Sequence, residues 1–131
     1  MVSKMDVRDR FCDDTYEFLL ALQGVWPECD GVQGVLWDFQ ATINCGLSSM
    51  RDLARNTLVE TYHTHMAPLY ELCRAQDPAV FRDDAVDILV SLRIREKWDD
   101  PSIDQGIRDT IFSWINQINE LSEQYHMRSQ A

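Results

Sequence analysis

Between Ser102 and Tyr125 the apolar residues Ile107, Ile111, Trp114, Ile118, Leu121 and Tyr125 step by alternating fours and threes. That spacing is the period of one face of an α-helix. A stripe of this length needs other apolar surface to cover it, because helices in water draw most of their stability from packing. The chain is therefore expected to be a helical domain with a real core. Ser102 is the expected N-cap, and Gln105 three places on completes a capping-box pattern.

The same periodicity recurs upstream. It predicts a helix from about Asp6 to Gln23, with Val7, Phe11, Phe18, Leu19 and Leu22 on one face, stopped by Gly24 and the Trp26-Pro27 corner. A second helix spans Asp30 to Ile43 on Val32, Val35, Leu36, Phe39 and Ile43, weakened by Gly31 and Gly34. A third starts at Ser48 or Ser49 as N-cap and runs to Met66, with Met50, Leu53, Ala54, Leu58, Tyr62 and Met66 as its stripe. Pro68 is expected to kink or break it before another turn from Leu69 to Arg74. Asp77-Pro78 opens a short turn through Phe81. A fourth helix is expected from Asp83 to Trp98 on Ala85, Ile88, Leu89 and Leu92, ended by Asp99-Asp100-Pro101. Strand-like alternation, internal repeats and low-complexity tracts are absent. The reading is all-α: one compact bundle of about five amphipathic helices over residues 1–131, ordered from about 6 to 126.

Composition bounds the function. With 131 residues and 45% hydrophobic content, the chain is long enough for one domain and too apolar for general disorder. No apolar run approaches the roughly 18 residues of a membrane span. The N-terminus turns polar at once, so no signal peptide is expected. Twenty-two acidic against twelve basic residues give a net charge of −10, which repels nucleic acid and anionic membranes and favours a basic partner. Direct nucleic-acid binding would want clustered cations with interleaved aromatics, and no such cluster is present. Cys12, Cys29, Cys45 and Cys73 have long, uneven gaps and no C-x-x-C pair, which reads as reduced thiols in a cytoplasmic protein.

The sharpest chemical signal is a pair of Glu-x-x-His motifs, Glu60 to His63 and Glu123 to His126. Di-iron carboxylate bundles use two such motifs with one Glu from each of two further helices, a role open here to Glu17 and Glu96. Helical phase opposes that reading. Glu60 and His63 point away from the Met50, Ala54, Leu58 and Tyr62 stripe, and Glu123 away from Ile111, Trp114 and Ile118. His63 and His65 diverge by roughly 200° on a helix, so they cannot share one metal ion. The acidic groups Asp83-Asp84-Asp87 and Asp99-Asp100-Asp104 flank expected helix starts, where the macrodipole favours carboxylates, and Asp13-Asp14 reads as a solvated face. No calcium loop, P-loop, nucleophile elbow or H-E-x-x-H motif occurs.

Residues from about Thr15 to His126 resemble small uncharacterised all-helical proteins of large nucleocytoplasmic DNA viruses. The resemblance is carried by Phe18-Leu19 with Trp26-Pro27-Glu28, by Met66-Ala67-Pro68-Leu69-Tyr70, by the Asp77 to Phe81 turn, and by Leu92-Arg93 leading to Trp114-Ile115-Asn116-Gln117-Ile118 and Leu121-Ser122. Trp26 stands where those proteins carry Phe, and the cysteine content is higher. These residues are architectural, so the resemblance implies a viral helical protein, in host cytoplasm or virion, and transfers no site.

No residue is assigned a catalytic, cofactor-binding or metal-binding role, and no cofactor is expected. The expected function is a non-enzymatic protein–protein interaction or structural module, with self-association or a protein partner, for which the net charge favours a basic one. An acidic nucleic-acid mimic that binds basic proteins and a di-iron type bundle enzyme are the alternatives.

Overall fold

The computed structural model describes residues 3–82, 91–101 and 103–129, and among them there is helix and turn but no strand. Helix α1 covers Lys4–Val25, α2 Asp30–Ile43 and α3 Ser48–Met66. A 3-10 turn over Ala67–Leu69 leads into α4, Tyr70–Arg74, and a second such turn covers Pro78–Arg82. The short α5 spans Ile94–Lys97, and the long C-terminal α6 spans Gln105–Ser129. The all-α reading is thus the observed architecture. Half of the expected helix from Asp83 to Trp98, residues 83–90, lies outside the described residues. Its described end is not continuous helix, because Arg93 sits in the left-handed region at φ 57° just before α5.

Antiparallel α1 and α6 form the spine. At one end Lys4 Nζ lies 4.8 Å over the Tyr125 ring, and toward the other Phe18 and Trp114 stack with centroids 6.3 Å apart. Between them are buried Val7, Phe11 and Leu22 of α1 with Ile111, Ile115 and Ile118 of α6. Helix α2 packs on α1 through Val32, Leu36, Phe39 and Ile43, all buried as their spacing foretold, with Val35 half-buried. A three-ring cluster fastens the turn after α4 and the α5 corner to α6. In it Phe81–Trp98, Trp98–Phe112 and Phe81–Phe112 centroids are 4.8, 5.3 and 5.5 Å apart. Arg108 holds the same corner by donating to the Trp98 carbonyl oxygen from Nε and Nη2, at 3.2 and 2.9 Å.

Several helix ends differ from the sequence expectation, each for a local reason. α1 starts earlier, because Ser3 and Asp6 form a reciprocal capping box. It also runs through Gly24 and stops at Trp26, ahead of Pro27. Leu47, not Ser48 or Ser49, is the N-cap of α3 and offers no side-chain acceptor. Arginines join that corner instead: Arg55 donates twice to the Ile43 carbonyl oxygen, at 3.0 and 2.9 Å, and Arg51 to that of Cys45 at 3.0 Å. They satisfy carbonyls at and just past the end of α2, which would otherwise lack partners. At the start of α6, Asp104 accepts from the Ile107 amide at 2.9 Å, so Asp104 performs the capping expected of Ser102, a residue outside the description. The Pro68 break and the Asp77-Pro78 turn are where the sequence put them, with Asp77 Oδ1 accepting from the Ala79 amide.

The α3 stripe is the main correction. Val59 is fully buried, whereas Met50 and Leu53 are 54% and 67% exposed and Ala54, Leu58 and Tyr62 are half-buried. Of the expected stripe Met66 alone is fully buried, and it is joined by Val59, which lies about 100° from Leu58 around the helix. The N-terminal half of α3 meets its neighbours through polar side chains instead. Buried Arg8 of α1 donates to Asp52 and Asn56 at 3.2 and 3.1 Å, and Arg55 pairs with Asp9 at 3.0 Å.

The two glycines of α2 separate cleanly. A Cβ on Gly31 would lie 2.2 Å from the Ser91 carbonyl oxygen, a backbone atom that must shift to admit it. At Gly34 a Cβ would meet nothing within 4 Å. We expect Gly31→Ala to destabilise the fold by about 1–3 kcal/mol through overpacking. Gly34→Ala should stabilise it by about 0.5–1 kcal/mol through helix propensity. Urea unfolding of the two variants checks both signs, and equal midpoints would contradict the close approach at Gly31.

Candidate functional site

Helix α6 carries two flanks beside its core line. One flank meets α3 and α4 in a polar seam that joins residues the sequence treated separately. Tyr62 Oη donates to Asn119 Oδ1 at 2.5 Å, and Asn116 Nδ2 donates to the Cys73 carbonyl oxygen at 3.0 Å. Ser122 Oγ, fully buried, donates to the Asn119 carbonyl oxygen and accepts from Tyr70 Oη at 2.6 Å. The single Tyr70 proton is therefore committed to Ser122, so at the 3.0 Å contact His63 Nδ1–H donates to Tyr70 Oη. This proton count assigns the His63 tautomer.

The two Glu-x-x-His motifs meet here. The His63 and His126 rings stack at 4.0 Å between centroids with 20° between planes. Tyr125 Oη contacts Glu60 Oε1 at 3.4 Å, and Arg74 pairs with Glu71 and lies 3.8 Å from Glu123. The expectation that Glu60, His63 and Glu123 face away from their stripes is corrected for His63 and Glu123, both half-buried, while Glu60 stays exposed. The cause is the rotated phase of α3: His63 lies only about 40° from Val59 around the helix. The other carboxylates of the di-iron alternative do not join them, since Glu17 and Glu96 are exposed. Among the described residues no group of three or more His, Cys, Asp or Glu side chains is placed to hold a metal ion.

The seam suits structure better than reactivity. Ser122 and Cys73 are sealed from solvent. Burial holds the Cys73 thiol above its ordinary value and pushes the Cys12 thiol to about 11, so both stay protonated at neutral pH. Burial likewise raises Tyr62, Tyr70 and Tyr125. None of the four cysteines is in a disulfide.

The other chemistry-bearing groups are dispersed. Asp83, Asp84 and Asp87 lie outside the described residues. Asp13 is exposed, whereas Asp14 pairs with Arg10 at 4.0 Å and accepts from Gln117 at 3.5 Å. No helix of the described residues is long and apolar enough to cross a membrane.

The surface carries the stronger signal. Trp37 on α2 is 74% exposed and Leu47, ahead of α3, is 65% exposed, joining Met50 and Leu53. The exposed positions of α3 include one acid, Glu60, and no Lys or Arg, in a chain that is 26% charged. Sequence periodicity marked Met50 and Leu53 as core. In the structure these two stay exposed, while Leu58, Tyr62 and Met66 further along the helix pack against the core.

The histidine stack makes stability depend on pH. Burial, and next the facing His126, lower the His63 pKa from its ordinary 6.5, while Glu123 opposes the shift. A lowered folded-state value means that the unfolded chain binds the proton more readily. Stability contributed here is complete above about 6.5, falls as pH drops through that value, and levels off below the folded-state pKa. Urea midpoints between pH 8 and pH 5 should show this fall, and His63→Phe should flatten it. An unchanged profile in that variant would show that the stack carries no such dependence.

Comparison of the chain with protein-family models, with curated proteins and with solved structures finds no match.

Proposed function

We propose that this protein is a non-enzymatic interaction module that engages a protein partner, or a second copy of itself, through the α2–α3 edge. The observation that carries the reading is the exposure of Trp37 on α2 and of Leu47, Met50 and Leu53 at the start of α3. Met50 and Leu53 have the helical spacing of core residues, yet they are more than half exposed. Exposed apolar area of this kind marks interaction surfaces. Trp at such an edge is also among the residue types that dominate binding energy.

The charge distribution leans the same way. A net charge of −10 keeps molecules apart over most of the surface, and the charge-poor face of α3 is where another protein could approach without that penalty. The resemblance to helical proteins of large DNA viruses would place this activity in a host cell or a virion.

The test is the double variant Trp37→Ser with Leu53→Ser, used as bait for affinity isolation from the native source beside the unaltered chain. Both positions are exposed, so unfolding stability should change by less than about 1 kcal/mol in total. The expected result is loss of one captured protein, or of a dimer seen by light scattering. Unchanged capture together with an unchanged scattering mass would sink the proposal.

A further inference from the structure

We propose that the groove between α1 and α6 binds a basic amphipathic helix of a protein partner, three to four turns long. This goes beyond the edge-binding reading, because the groove lies on a different pair of helices and requires none of Trp37, Leu47, Met50 or Leu53.

The groove occupies the flank of α6 opposite the polar seam. Phe18, Leu22 and Val25 of α1 and Ile107, Ile111 and Trp114 of α6 line a concavity of about 390 Å³. On each helix the three residues share one face at spacings of four and three. Val25, Ile107 and Trp114 are only half-buried, so their apolar atoms remain open to a visitor. Small exposed residues, Ala21 on α1 and Gly106 and Thr110 on α6, keep the mouth low. A second concavity of about 340 Å³, lined by α6 residues alone, shares Thr110 and Trp114 and runs along that helix by way of Ser113 to Gln117. The two together follow α6 from Asp104 to Gln117, about 20 Å at 1.5 Å per residue. That length matches a guest helix of about 14 residues.

Acids outnumber bases around the groove. Among the described residues lining the two concavities there is an acid, Asp104, and no Lys, Arg or His. Exposed Glu17 precedes Phe18 in the chain, and exposed Asp109 precedes Thr110. Asp14 accepts from Gln117 at the far end, where Arg10 partly offsets it.

Apolar walls with an acidic rim select the occupant. A second copy would bring another net −10 against this rim, and anionic membrane or nucleic acid would be repelled. A small neutral molecule would use neither the length nor the charge. A helix with apolar anchors at i, i+3 or i+4 and i+7 uses the walls, and its Lys and Arg residues meet Glu17, Asp104 and Asp109.

The probe is a fluorescein-labelled synthetic peptide of about 14 residues, with Leu and Phe on one helical face and Lys or Arg elsewhere. Its anisotropy is followed with the full chain at low and physiological salt. Three control peptides accompany it: the same composition scrambled off one face, a Glu-for-Lys version, and a version with uncharged polar residues in place of the cations. Micromolar binding is expected, weakening with salt, and at least about tenfold weaker for all three controls. Ala21→Arg and Thr110→Lys, both at exposed rim positions, should each weaken it by about tenfold, whereas Gln40→Arg on the exposed face of α2 should leave it unchanged. Circular dichroism confirms that each variant is folded.

Equal binding of the scrambled or uncharged peptide overturns the proposal. So does insensitivity to both rim variants, or a dimer by light scattering that Ala21→Arg abolishes, which would assign the groove to a second copy. The peptide results do not bear on the α2–α3 edge. A dimer that Ala21→Arg leaves intact and that Trp37→Ser with Leu53→Ser abolishes belongs to that edge, so the two readings are told apart.

Discussion

The antiparallel contact between α1 and α6 is the constraint on which the rest of the molecule depends. Ile111, Ile115, Ile118, Ser122 and Tyr125 form one buried line along α6, facing Val7, Phe11 and Leu22 of α1. Once that line is in place, the residues one position to either side of it are committed to different surroundings. Phe112, Asn116, Asn119 and Glu123 turn toward the aromatic corner and the polar seam. Thr110, Trp114 and Gln117 turn toward the groove. A step of about 100° per residue is enough to separate an internal hydrogen-bond network from a surface for partners.

The position of α3 depends on this spine in a less obvious way. It is attached to α1 by Arg8 and Arg55 near its start and by the Phe11–Tyr62 edge contact, with centroids 5.2 Å apart, further along. Only its second half reaches the core, through Val59 and Met66. The buried Arg8 tolerates its site because Asp9, Asp52 and Asn56 supply acceptors for its guanidinium. A helix held by ion pairs at one end and apolar contacts at the other can leave an apolar strip uncovered. That is the origin of the exposed Met50 and Leu53.

This arrangement also explains how far the candidate sites were legible beforehand. The Glu-x-x-His repeats were visible as motifs, but their meeting was not. Stacking of His63 on His126 needs α3 turned so that Val59 and not Leu58 faces inward, and both residues are apolar. Periodicity counts apolar positions and cannot tell which of two neighbouring apolar lines finds a partner. The groove was hidden for a related reason: Trp114 and Ile107 belong to the apolar stripe, and only packing shows that α1 leaves them half-covered. Gly31 was read as a weakness in α2, whereas the backbone at Ser91 passes too close for any Cβ.

By itself the sequence determined that the chain is helical, where most helices run, that α2 buries Val32, Leu36, Phe39 and Ile43, and that acid outweighs base. These properties follow from local chemistry: residue periodicity, Pro and Asp at helix ends, and the count of ionisable groups. The tertiary structure decided the facing of α3, the stacking of His63 on His126 beside the Tyr70–Ser122 hydrogen bond, and which apolar residues stay in water. The physical reason is that helix formation depends on neighbours three and four residues away. The exposure of a given face depends on what a distant helix can reach.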